Sequence, residues 1–290
     1  MAGQRPPPKY PFATELLTSG LSVSCANLAT LPMDVLKVRL QLQTRLSNGV
    51  ASPGLVMTAV NIAQTEGGSA FFKGLNPAIM RGLFYGGVRL GCYGPTKTLI
   101  GANKDNPSLL RNIAAGALSG SVASLASNPI DLVKTRLQSK DNPYRTATEV
   151  IRGVVKSDGV VGLWRGTVPA MARAAVLTAA QCATYNESKK LWMWITGGGD
   201  DFTTHLGSSM ITGLVTTTAT GPVDVIKTNM FVGGSKYTGP LQCAADIIKH
   251  EGTRGLFKGW TANYVRLGPQ TTVIFVVMEQ LRKATGLEAL

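Results

Sequence analysis

Polarity along this chain changes segment by segment. Three long stretches contain no Asp, Glu, Lys or Arg: Leu16–Met33, Asn112–Ile130 and Phe202–Val223, the last including His205. A membrane-spanning helix needs about 20 predominantly apolar residues, and these runs approach that length. They are rich in Gly, Ala, Ser and Thr, which suits helices packed closely inside a membrane. Each run predicts a helix that continues past a proline into an amphipathic tail such as Leu36–Leu46. Proline removes a backbone hydrogen bond and kinks the helix. A connector with a surface helix follows, at about Leu55–Gln64, Ala147–Lys156 and Leu241–Lys249. A second long helix starts near Asn76, Val168 and Thr261 and ends near Ile100, Ile195 and Lys283. Asn103–Pro107 and Gly197–Asp201 read as the loops between units. The prediction is an all-α membrane protein with six transmembrane helices and three short surface helices, both termini on one side.

The pattern repeats in detail. Pro32-Met-Asp34-Val-Leu-Lys37, Pro129-Ile-Asp131-Leu-Val-Lys134 and Pro222-Val-Asp224-Val-Ile-Lys227 follow the uncharged runs, with prolines 97 and 93 residues apart. One P-x-D-x-x-K is weak; three at near-equal spacing make an internal repeat, which decides the architecture. A second signature keeps the same phase. Glu66-Gly67 leads to Phe72-Lys73-Gly74, Asp158-Gly159 to Trp164-Arg165-Gly166, and Glu251-Gly252 to Phe257-Lys258-Gly259. The repeats are placed at 12–101, 108–196 and 202–285.

Composition narrows the function classes. Charged residues make up 16%, against roughly 25% in soluble proteins. Mean hydropathy is only +0.11, so the uncharged runs carry the membrane argument. Net charge is +13, but there is no basic run, aromatic-basic stripe or recognition motif for nucleic acid. Scattered Lys and Arg flanking uncharged segments suit anionic lipid better. Cys25, Cys92, Cys182 and Cys243 form no C-x-x-C pair, and with two histidines neither a metal site nor a disulfide framework is expected. No cofactor fingerprint or nucleophile–base constellation supports an enzyme. Met1–Pro11 is Pro-rich and lacks a presequence pattern, so any targeting signal is expected to be internal.

The second helices carry Arg81, Arg173 and Arg266, each seven residues after its element's last glycine. Each precedes Tyr93, Tyr185 or Met278 by 12 residues, roughly 18 Å of helix. These arginines therefore lie well inside a hydrocarbon slab of about 30 Å, where a charge must face a partner or a watery cavity. They could pair with carboxylates or helix-end carbonyls, or grip an anionic substrate in two-pronged fashion. Deep acids look scarce, which favours substrate. Eight residues further on stand Arg89, Gln181 and Ile274, an asymmetric layer suited to an asymmetric solute. Asp34 and Lys37 share a helix face, so the proline motifs allow either three local pairs or a ring between helices. Gly74, Gly166 and Gly259 precede helix starts, whose free N–H groups favour phosphate.

Together these residues resemble the mitochondrial carrier family over about Phe12–Ala284. The resemblance implies a three-fold pseudosymmetric six-helix barrel in the inner mitochondrial membrane, with termini facing the intermembrane space and alternating access to one central site. It implies a matrix gate ring of Asp34–Lys134, Asp131–Lys227 and Asp224–Lys37, braced by Gln41 and Gln138, with Phe231 leaving the third brace missing. It implies a cytoplasmic gate from Tyr93, Lys97, Tyr185, Lys189, Glu279 and Arg282, weakened because Gly94 and Asn186 stand where acids are usual. Gly74, Gly166 and Gly259 would bind cardiolipin. The tyrosine-x-glycine partner survives only as Tyr237-Thr-Gly239, with Tyr144-Arg-Thr146 and Ser52-Pro-Gly54 at the other two sites.

Within the family the chain resembles the branch of 2-oxoglutarate/malate carriers, dicarboxylate carriers and uncoupling proteins. The residues are Leu163-Trp-Arg-Gly-Thr-Val-Pro-Ala-Met-Ala-Arg173, Gly213-Leu-Val-Thr-Thr-Thr218, Val265-Arg-Leu-Gly-Pro269 and Arg81-x7-Arg89-Leu-Gly-x-Tyr93. The implied function is exchange of dicarboxylates or 2-oxoacids by a monomer whose partners are small anionic solutes, cardiolipin and the bilayer. An uncoupling-type proton leak, or transport of inorganic or sulfur oxyanions, is the alternative. Gln181 and the missing gate acids lean toward the exchanger.

Overall fold

The computed structural model describes residues 11–43, 54–101, 109–140, 142–197 and 202–285. Each repeat is long helix, short helix, long helix. In order these are α1 (Pro11–Leu42), α2 (Leu55–Thr65), α3 (Leu75–Leu99), α4 (Leu109–Gln138), α5 (Ala147–Asp158), α6 (Thr167–Thr196), α7 (Phe202–Gly233), α8 (Pro240–Glu251) and α9 (Trp260–Thr285). The tail expected to reach Leu46 stops earlier, since α1 ends at Leu42. Asn103–Pro107 and most of Gly197–Asp201 lie outside the described residues. One-turn 3-10 segments at Gly68–Phe72, Val160–Trp164 and Thr253–Phe257 precede α3, α6 and α9, and were not anticipated from the sequence.

The six long helices close on themselves. Helix α1 packs on α3 and α9, α4 on α3 and α6, and α7 on α6 and α9. The repeat pattern thus becomes a six-helix barrel with three-fold pseudosymmetry. Small residues allow the close approach: a Cβ on Gly82 of α3 would lie 2.7 Å from Ser24 Oγ of α1. Several buried hydroxyls are satisfied within their own helices. Ser24 donates to the Gly20 carbonyl at 2.8 Å, Thr30 to Ala26 at 2.8 Å and Thr178 to Ala174 at 2.9 Å. Such bonding to the preceding turn lets Ser and Thr sit at buried positions.

Helices α1, α4 and α7 each run through the proline of their motif. A proline at position i leaves the carbonyl at i−4 without its helical donor. In repeat 2 the Leu125 carbonyl freed by Pro129 accepts instead from the Trp164 indole N–H at 3.2 Å. In repeat 3 Trp260 donates to the Thr218 hydroxyl at 3.0 Å, one turn before Pro222. The connector element of repeat 2 and the first residue of α9 are thereby tied to the proline-containing turns.

Among the described residues, no helix is long and apolar enough by itself to cross a membrane. The polarity is distributed by face. Leu21 and Leu28 of α1, Leu118, Val122 and Leu125 of α4, and Met210, Leu214 and Val215 of α7 are exposed on the outside. The charged residues Asp34, Lys37, Asp131, Lys134 and Asp224 are buried. The bundle, rather than each helix, presents the apolar surface.

Candidate functional site

The three proline motifs meet at one end of the barrel. Lys37 Nζ lies 2.7 Å from Asp224 Oδ2, Lys134 Nζ 2.5 Å from Asp34 Oδ2 and Lys227 Nζ 2.7 Å from Asp131 Oδ2. Every pair joins two repeats, and none is the local i, i+3 pair within one motif. The reason is geometric: Asp and Lys on one face of an inward-turned helix both point at neighbouring helices.

The deep arginines depart from expectation. The reasoning that deep acids are scarce overlooked the ring aspartates themselves. Arg81 pairs with Asp131, Arg173 with Asp224 and Arg266 with Asp34, each through Oδ1. The Arg81 contact is an ion pair without hydrogen-bond alignment. Each aspartate is thus shared. One oxygen takes the lysine of the following repeat and the other takes the arginine of the preceding repeat, so each carboxylate links all three repeats. The aspartates are 3–5% exposed. Six bases surround three carboxylates, leaving an excess of three positive charges around a cavity of about 80 Å³. An unbalanced charge in a low-dielectric interior favours an anion.

Arg89 lies two turns beyond Arg81 on α3, on the same face, with Tyr85 between them. The Arg81 guanidinium sits 5.4 Å over the Tyr85 ring. Arg89 is half-buried and, among the described residues, meets no carboxylate. Gln181 is exposed on α6. The side chain of Ile274 lies outside the described residues.

The brace positions differ from one another. Gln41 accepts a hydrogen bond from Thr228 Oγ1 at 2.7 Å. Gln138 is 1% exposed and its Nε2 finds no partner among the described residues. Phe231, read from the sequence as a missing brace, is fully buried with its ring 5.1 Å from the Lys227 ammonium. Its quadrupole face attracts the cation, so this position holds the lysine by another interaction. Gly74, Gly166 and Gly259 adopt φ of 81°, 77° and 72°. A Cβ there would meet Gln138, Phe231 and Gln41 respectively, within 3.3 Å. These glycines therefore do more than open a helix start. They let α3, α6 and α9 each begin directly against the brace residue of the next repeat.

Sequence reasoning also missed the base two residues after two of the three ring lysines. Arg39 holds Glu66 through both carboxylate oxygens, the Nη2–Oε2 arm at 2.8 Å, and Lys73 reaches the same group at 2.6 Å. These hydrogen bonds, Arg39's foremost, push the Glu66 carboxyl down to about 2. Arg39 also donates to the Gln138 carbonyl, and Arg136 to that of Phe231 at 2.8 Å. The signal was present as Lys37-x-Arg39 and Lys134-x-Arg136. Repeat 3 has Asn229 instead, which bonds back to Val225 in its own helix.

The residues expected to gate the other end of the barrel lie on α3, α6 and α9. Tyr93 is 37% exposed, a Cβ on Gly94 would enter open space, and Lys97 forms no ion pair among the described residues. Tyr185 and Lys189 are half-buried on α6. Glu279 and Arg282 belong to α9, but their side chains lie outside the described residues.

Comparison with known proteins places this geometry. The family model described as mitochondrial carrier protein matches residues 8–104, 105–195 and 199–287. Mitochondrial uncoupling protein 2 of Arabidopsis thaliana is 34% identical, covering 100% of this chain and 99% of its own. A probable mitochondrial 2-oxoglutarate/malate carrier protein of Dictyostelium discoideum is 32% identical over 92% of this chain and 88% of its own. Mitochondrial brown fat uncoupling protein 1 of Ovis aries is 31% identical over 94% and 92%. Three matched repeats, a closed six-helix barrel and one shared charge ring leave one conclusion: the chain belongs to the mitochondrial carrier family, and is a solute transporter of the mitochondrial inner membrane rather than an enzyme.

Proposed function

We propose that this carrier exchanges dicarboxylates or 2-oxoacids of the 2-oxoglutarate/malate type by alternating access. The observation that carries the reading is the triad of Arg81, Arg173 and Arg266, each already bound to a carboxylate. A site that holds Asp carboxylates can hold those of a substrate, which would replace the aspartates one for one. Arg89 adds a fourth guanidinium on one side and biases the choice among anions. In this reading the proline-motif ring, with Gln41 and Gln138, is the matrix gate. Tyr93, Lys97, Tyr185, Lys189, Glu279 and Arg282 form the cytoplasmic one. Cardiolipin headgroups would bind at the starts of α3, α6 and α9. A cavity of about 540 Å³ lined by Lys73, Gly74, Ser139, Asn142, Tyr144 and Arg145 supports this for the junction of repeats 1 and 2.

The test is counter-exchange by purified protein in liposomes over a panel of anions. Alanine at Arg81, Arg173 or Arg266 should reduce malate/2-oxoglutarate exchange severely. Lysine should restore little, because an ammonium lacks the planar fork. Arg89→Gln should reorder the anions more than it abolishes exchange. Wild-type rates in the folded alanine variants would refute the assignment. A second reading, fatty-acid-dependent proton leak, is favoured by the uncoupling proteins among the relatives. Proton leak without dicarboxylate exchange would put it first, and exchange confined to phosphate or sulfur oxyanions would point to that substrate class.

A further inference from the structure

The three ring bridges are related by repeat, but one has an extra polar neighbour. Asn263 of α9 is 5% exposed. Its Oδ1 accepts from Lys37 Nζ at 3.0 Å, and its Nδ2 donates to Asp224 Oδ2 at 3.5 Å. The amide therefore touches both ions of the same bridge, with each end meeting the charge it suits. The residues at the equivalent place, four after Gly74 and Gly166, are Ala78 and Ala170, both buried. They offer no polar group. The same seam lacks the arginine found at the other two, because Asn229 stands where Arg39 and Arg136 stand.

We infer that Asn263 is a positioning residue of the matrix-side closure, clamping the Lys37–Asp224 bridge at the junction of repeats 3 and 1. Arg266 lies one turn further along α9, on the same face, and holds Asp34. Helix α9 thereby restrains two of the three bridges, Lys37–Asp224 through Asn263 and Lys134–Asp34 through Arg266. Helices α3 and α6 reach one each, through Arg81 and Arg173. Movement of α9 when an anion engages Arg266 would strain both of its bridges together. The clamp rests on the gate reading above for its role in transport, but not for its geometry.

Two variants separate the clamp from packing. Asn263→Leu keeps the side-chain volume without the amide, and Asn263→Ala removes both. Hydrogen bonds to ions place the loss at about 3–12 °C in melting temperature of the purified carrier, similar for both variants. In liposomes the maximal exchange rate should rise at least about threefold, with KM within about twofold, since the closed form loses a restraint released on opening. Full stability in Asn263→Leu with loss only in Asn263→Ala would show a packing role and overturn the clamp. An unchanged or lower maximal rate would overturn its part in gating. If the wild-type protein exchanges no dicarboxylate, the proposed substrate fails, while the melting comparison still decides the clamp.

Discussion

Because each ring aspartate serves two bases, acids and bases in the ring are not equivalent. Consider the bridge between repeats 2 and 3. Asp131 is 6% exposed at its side chain, Lys227 13% and Arg81 24%. Asp131→Asn leaves two largely buried cations without their carboxylate. Removing one partner of a buried pair costs about 3–5 kcal/mol. Lys227→Met leaves Asp131 still paired with Arg81, so the loss is nearer that of one charged hydrogen bond, about 1.5–3 kcal/mol. At roughly 2–4 °C per kcal/mol, the aspartate variant should melt several degrees below the lysine variant. The same asymmetry limits charge exchange. Asp131→Lys with Lys227→Asp restores the bridge but sets the new lysine against Arg81, so exchange should recover only in part. Asp131→Lys with Lys134→Asp, within one helix, sets the new aspartate against Asp34 and the new lysine against Lys227, and should recover less. The measurements are melting temperature in detergent and exchange in liposomes for the four variants. Equal melting of Asp131→Asn and Lys227→Met, or better rescue by the within-helix swap, would refute the shared-carboxylate ring.

Two further outcomes follow from the connectors. Gly166→Ala should destabilise by about 2–5 kcal/mol, since positive φ costs roughly 1–2 kcal/mol and the new Cβ would lie 2.6 Å from the buried Phe231 ring. Gly197→Ala, with φ of 64° and ψ of 10° in the same left-handed region but open space around it, should cost only the strain; equal melting losses would contradict the packing argument. At Glu66 the carboxyl is held at about 2 against an ordinary 4.5, chiefly by Arg39. Its contribution to stability is therefore present above pH 4.5 and fades as pH falls toward 2. The melting penalty of Glu66→Gln should shrink across that window, and a pH-independent penalty would contradict the pairing.

The repeat and the helix order are legible in the amino-acid sequence, and a ring of the proline motifs is permitted by it. Those properties follow from local patterns that recur: an uncharged run, a bend, an acid and a base three residues apart. A period of about 95 residues with one acid and one base per unit already permits a closed ring. Packing alone settles which base shares which carboxylate. Arg81, Arg173 and Arg266 looked unpartnered because their carboxylates lie on other repeats, at separations no local pattern reports. Phe231 read as a gap because a sequence shows the absent amide but not the ammonium over the ring. Asn263 carries no signature at all. It matters because α9 leans on α1, bringing one side chain against a lysine 226 positions away. Side-chain chemistry is written locally, but in a buried network each charge is balanced by whatever the packing brings within reach.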